Sequence, residues 1–220
     1  YSLTYAGLSL VGSLRAGVLS NTTLGPETLD ANCAICEAEL TAKYEEGLLS
    51  VACSSGHLYP RNVVPSNTVT TVPPNAVADR TLGEVVTLQT RRLQYHCELV
   101  RDGVCPACFS DVERDHEVLD QHQGSHIIIA TCEGCGMVSA APVGMSLLRE
   151  PAVVAFYHDH DIDVTETPFW PVDLPITEPV VVSEDPLRLS LSVEHDDERL
   201  TLIVDEHAQL IDSERTSVDM

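Results

Sequence analysis

The chain has 220 residues, with 34 acidic against 12 basic side chains and a formal net charge of −22. That length allows one large or two small domains, and so acidic a surface makes a poor binder of phosphate backbones. No run approaches the roughly 18 apolar residues needed to cross a bilayer, and no secretory signal pattern is present.

Only Lys43 is a lysine among the basic residues, and the acidic residues are spread along the whole chain. That distribution fits a protein from a salt-saturated cytosol. At about 1 M salt the screening length falls to roughly 3 Å, so mutual carboxylate repulsion is suppressed. The chain begins at Tyr1 in the middle of a pattern, and the expectation is a segment that has lost its N-terminal part.

In chain order, residues 1–3 read as the end of a strand. Thr4 can cap a helix through "YAGLSLVGSLRA", with Gly17 as its stop signal. Tyr5, Leu8, Val11 and Leu14 give that helix one apolar stripe. Residues 20–31 read as a polar connection. A ribbon-like unit is predicted over 31–64: the Cys33/Cys36 turn, strands "LTAKYEE" and "LLSVAC" about a turn at Gly47, then Cys53, His57 and an exit strand.

Pro65, Pro73 and Pro74 mark a linker, after which Thr81 and Glu84 form a capping box. The helix they start carries Leu82, Val85, Val86, Leu93, Cys97 and Val100 on one face and ends before Gly103, closing a linker-and-helix segment over 65–103. A second ribbon is predicted over 104–143, with turns at Cys105/Cys108 and Cys132/Cys135. Residues 144–220 then give a helical stretch, "SLLREPAVVAFYHDH", and an antiparallel meander, "PVVVSED", "LRLSLSVEH", "RLTLIVDE" and "AQLIDSE". The expected fold class is α+β: two ribbon-like hairpin units joined by a helix, followed by the meander.

Repeated Cys-x-x-Cys pairs on hairpin turns read as metal ligands in a reducing compartment, not as a disulfide framework. Cys105, Cys108, Cys132 and Cys135 supply four thiolates, with 23 residues between the pairs, which suits tetrahedral Zn²⁺. Cys33 and Cys36, then Cys53 and His57, supply a second set in which an imidazole replaces one thiolate. Two structural zinc ions are therefore expected. Redox Cys-x-x-Cys pairs open helices after strands, and catalytic zinc keeps an open position; neither context is present, so no enzymatic role is expected.

Cys97 reads as a small core residue on its helix stripe. His116, His122, His126 and the run His158-Asp159-His160 invite a further metal or ligand site, but their irregular spacing reads as a solvated face. Phe156, Tyr157, Phe169 and Trp170 gather at one junction and read as core, the alternative being the lining of a small-molecule pocket.

The segment "YSLTYAGLSLVGSLRAG" resembles the wing end and following dimerising helix of archaeal ArsR-like winged helix-turn-helix regulators. The succession of ribbon, linker helix, CPxC ribbon, "APVG", "PAVVAFYHDHDIDV" and "PFW" resembles the C-terminal region of haloarchaeal members of that group. The resemblance implies a cytoplasmic transcriptional regulator. Residues 1–20 would end its winged-helix domain, a homodimer would form through that helix, and DNA would be held by parts preceding Tyr1. It leaves room for an unidentified small-molecule effector. The first ribbon departs from the family at Cys53-Ser-Ser-Gly-His57, where a second Cys-x-x-Cys turn is usual. The alternative is a zinc-ribbon scaffold for protein–protein interaction that does not bind DNA.

Overall fold

A computed structural model of the chain describes residues 4–33, 36–56, 58–59, 71–119, 125–164 and 179–218. The architecture is α+β, with antiparallel sheets and few helices. It divides between Thr90 and Arg91 into two compact units.

The first unit opens with α1 (Tyr5–Arg15), where Thr4 Oγ1 accepts the Gly7 N–H at 3.2 Å as an N-cap. A four-stranded antiparallel sheet follows in the order β1 (Thr23–Asn32), β2 (Glu39–Glu45), β3 (Leu48–Cys53) and β4 (Leu58–Tyr59). Alternation in β2 and β3 puts Leu40, Ala42 and Tyr44 opposite Cys53, Val51 and Leu49, and all six are buried. The Tyr44 hydroxyl reaches water from neither face; it donates to the Val72 carbonyl at 2.8 Å. A short helix α2 (Pro74–Val77) then places Asn75 Nδ2 2.7 Å from the Arg15 carbonyl, satisfying an end of α1.

The expected polar connection over 20–31 is instead largely β1. Gly25 and Pro26 obscured it, because both disfavour a central strand. The structure accommodates them on a sheet edge, where the pairing slips between Leu24 and Glu27. Gly25 has φ +90, and a Cβ there would lie 2.8 Å from the Ala42 carbonyl oxygen and 2.9 Å from Leu82 Cδ1. Only glycine fits that approach of strand to helix.

Helix α3 (Leu82–Arg101) begins at the predicted capping box: Glu84 Oε2 accepts the Thr81 N–H at 2.9 Å and Thr81 Oγ1 accepts the Glu84 N–H at 3.2 Å. Its first turns bury Leu82, Val85 and Val86 in the first unit; its last bury Leu93, Cys97 and Val100 in the second.

The second unit contains a three-stranded antiparallel sheet, β5 (Glu113–Leu119), β6 (Ser125–Thr131) and β7 (Val138–Pro142). The helical stretch expected over residues 146–160 is helical only from Pro151, as α5 (Pro151–Asp159), and a separate short helix α4 (Val143–Ser146) precedes it. Pro151 is the reason. It lacks the N–H that a continuing helix requires, and it opens α5 with Glu150 as the N-cap residue. Gln94 Nε2 donates to the Val164 carbonyl at 3.1 Å, tying α3 to the chain beyond α5.

The meander is as predicted: β8 (Val180–Glu184), β9 (Leu187–His195), β10 (Glu198–Val204) and β11 (Leu210–Ser217), each strand beside the next. Register pairs Leu189 with Val204, Leu191 with Leu202 and Val193 with Leu200, and all six are buried. The period-two pattern thus fixes which face of this sheet is core. Among the described residues no helix is long and apolar enough to cross a membrane.

Candidate metal centres

In the second unit, Cys105 leads a turn closed by two backbone hydrogen bonds, Cys105 N–H to the Ser110 carbonyl and Phe109 N–H to the Cys105 carbonyl, both 2.8 Å. Cys132, just past the end of β6, leads an equivalent turn: its N–H donates to Met137 O at 2.9 Å, and Gly136 N–H donates to Cys132 O at 2.8 Å. The residue after each second cysteine takes the left-handed conformation, φ +62 at Phe109 and +72 at Gly136. Such turns aim two sulfurs and several N–H groups into one space.

The four sulfurs meet there, all within 4.8 Å of one another. Cys105 and Cys135 Sγ are 3.7 Å apart, and Cys108 and Cys132 Sγ are 3.6 Å apart. A disulfide needs about 2.05 Å. A tetrahedron with Zn–S bonds of about 2.3 Å has edges of about 3.8 Å. The donor set and its spacing therefore fit a closed tetrathiolate centre that could hold a metal such as zinc. Cys105 and Cys132 are fully buried, Cys108 is half-buried and Cys135 is exposed, so the centre has one wet side.

Electrostatics distinguish the thiols. Hydrogen bonding with the Ser110 side chain and backbone brings Cys108 down to about 6. At Cys135 a backbone hydrogen bond at Met137 pulls the other way, but the Cys108 side chain, burial and the remaining two cysteines push the thiol up to about 12. Four thiolates packed together need a cation, and a divalent ion supplies it. Gly134 contributes space: a Cβ there would lie 2.9 Å from Ser110 Oγ and 3.6 Å from Cys132 Sγ.

The first unit repeats the turn once. Cys33 N–H donates to Ala38 O and Glu37 N–H to Cys33 O, both at 2.8 Å, with Glu37 at φ +58. Cys33, Cys36 and Cys53 place their sulfurs within 4.8 Å of one another, Cys36 and Cys53 at 3.6 Å. The proposed fourth ligand, His57, lies outside the described residues. The turn at Cys53 differs from the other three. Gly56 N–H donates to Cys53 O at 2.9 Å and Gly56 carries the left-handed φ of +82. The left-handed residue thus stands third after the cysteine instead of fourth, in the slot where the other turns carry their second cysteine. Three thiolates converge here; this cluster too could hold a metal.

Cys97 is fully buried on α3, and burial pushes its thiol up to about 12; it is core. The solvated-face reading of the histidines needs correction. His126 is buried and its Nδ1 sits 2.8 Å from Nε2 of the half-buried His116. The side chain of His160 is only 9% exposed, packed beside the β9–β10 hairpin, whereas His158 is exposed. His122 lies outside the described residues, as do Phe169 and Trp170; Phe156 and Tyr157 are core. His195 and Asp196, which meet His160, carry no local motif that sequence reasoning could have found.

Fold and cysteine geometry together define a two-unit α+β protein with one complete tetrathiolate cluster and one three-cysteine cluster. The chain belongs to the family described as a domain of unknown function, DUF7351, which matches residues 30–210. No curated protein matches it, and no solved structure does either.

Proposed function

We propose that the chain is the C-terminal effector and dimerisation region of a winged-helix transcriptional regulator, with structural zinc in its cysteine clusters. The observation that carries this reading is α1. It is a capped helix whose Leu8, Val11 and Leu14 are 58%, 40% and 46% exposed, within the segment "YSLTYAGLSLVGSLRAG" that resembles the dimerising helix of ArsR-like regulators. An isolated helix of this length is marginal in water, and pairing with its copy would cover the apolar stripe and supply the two-fold axis that DNA half-sites require.

The cysteine clusters support a structural role for the metal. Four thiolates use all four positions of a tetrahedral ion and leave none for water or substrate.

The test uses the intact protein in molar salt. Sedimentation should give a dimer, and selection from fragmented genomic DNA should enrich sites with two half-sites about 10 base pairs apart or a multiple of that spacing. A monomer that enriches no DNA would overturn the regulator reading in favour of a scaffold.

A further inference from the structure

The end of α5 and the β9–β10 hairpin bring together three side chains that lie far apart in the sequence. One ring nitrogen each from His160 and His195 and a carboxylate oxygen of Asp196 lie within 4.8 Å of one another. His160 is the C-cap of α5, and its ring packs edge-on against Phe156 and His195, with centroids 4.8 and 4.7 Å away. Asp196 sits in the tight turn between β9 and β10 with φ +52, a conformation aspartate tolerates better than most residues.

The distances do not describe a hydrogen-bonded cluster. His160 Nδ1 is 3.6 Å from Asp196 Oδ2, too long for a hydrogen bond. On the opposite side of the ring, Nε2 is 3.3 Å from Glu198 Oε2, yet it is buried and makes no hydrogen bond. A buried imidazole nitrogen left without a hydrogen bond is costly. Two ligands on one tetrahedral Zn²⁺, with bonds of about 2.0–2.1 Å, stand about 3.4 Å apart. The His160–Asp196 separation is close to that edge.

We infer that His160, His195 and Asp196 form a third metal site, separate from the cysteine clusters, for a divalent transition ion of the Zn²⁺ class. Two imidazoles and one carboxylate suit Zn²⁺, Ni²⁺ or Cu²⁺ better than Ca²⁺ or Mg²⁺, which prefer all-oxygen shells. With Nδ1 on the ion, Nε2–H turns to Glu198, giving the carboxylate–histidine–metal relay that fixes ring and tautomer. Glu198 is itself held by Arg215, which also donates to Asp159 Oδ2 at 2.5 Å. Asp196 is exposed, so ions have access, and three protein ligands leave a coordination position for water. Without thiolates this site is weaker than a tetrathiolate centre, so it should exchange its ion while the cysteine clusters keep theirs.

The full chain with its cysteine clusters filled is titrated with Zn²⁺ alone and followed by equilibrium dialysis and histidine ring NMR. Wild type should take up one further equivalent, with the His160 and His195 signals shifting together. H195A and D196N, both in the hairpin and away from the Phe156 packing, should lose that equivalent or bind it at least tenfold more weakly. Equal uptake by all three proteins would overturn the assignment. So would ring signals that move with acid but not with zinc, the behaviour of a plain histidine–carboxylate ion pair.

Discussion

Arg101 and Glu150 form an ion pair at 2.6 Å with only 10% and 16% of their side chains exposed. The same guanidinium donates to the Ser146 carbonyl at 3.2 Å, while the Arg101 carbonyl accepts from Gln209 Nε2 at 2.6 Å and from Arg114. One residue at the end of α3 thus joins α4, the N-cap of α5, the strand β5 and the β10–β11 connection.

Replacing Arg101 with alanine leaves Glu150 with a nearly buried and unpaired carboxylate. The expected loss is about 3–5 kcal/mol, the range for breaking one partner of a buried pair, read as a lower denaturation midpoint. E150Q should lose less, and the double variant should be less destabilised than the two single changes added together.

Metal content is the second expectation. After dialysis against a moderate chelator, the wild-type chain should retain two zinc ions. C108S or C135S should retain one, and so should C53S or H57A if the imidazole closes the first cluster as proposed. Removing zinc altogether should unfold the ribbons, since binding energy in such small units is folding energy.

Gly134→Ala tests the space behind the second cluster. The new methyl would fall 2.9 Å from Ser110 Oγ and displace the group that favours the Cys108 thiolate. Loss of an outer-shell partner typically weakens metal binding about 10–100-fold, and competition with a chromophoric chelator measures it directly.

Acid should destabilise the second unit through His96. Burial, and then the Arg92 charge, hold this imidazole below its usual 6.5, with Nε2 2.7 Å from Ser139 Oγ. The unfolded chain therefore binds the proton more readily than the folded one. The stability this group contributes is intact above about pH 6.5 and is lost as pH falls below it. His116 acts in the same direction, lowered by burial and then by His126, with Glu206 opposing. Substituting His96 with Gln should flatten the acid side of a melting-temperature profile between about pH 5 and 6.5.

Salt gives the fifth expectation. With a net charge of −22, the melting temperature should fall as KCl drops below about 1 M, because screening weakens as the Debye length grows. Circular dichroism across a KCl series reads it; a flat profile would remove the halophile argument.

Much of this architecture was legible in the sequence, for reasons particular residues make plain. Thr81 and Glu84 announced α3, and the alternation through "LRLSLSVEH" and "RLTLIVDE" announced the paired core strands, because both signals are local. β1 was missed because its pairing with β2 outweighs what Gly25 and Pro26 suggest by themselves. The tetrathiolate cluster was readable because each Cys-x-x-Cys turn builds half of it within four residues. The His160, His195 and Asp196 cluster was not, since only the docking of α5 beside the hairpin brings its parts together.

The start of α3 is capped from two directions. Glu27 of β1 accepts the Leu82 and Gly83 N–H groups at 3.0 and 3.1 Å, and Glu84 accepts that of Thr81. A helix N-terminus is ordinarily the place where a protein greets a phosphate; here the protein's own carboxylates already occupy it. A nucleic acid approaching this helix end would have to displace two anions while carrying one. The longest helix among the described residues is thus closed to phosphate recognition at its positive pole.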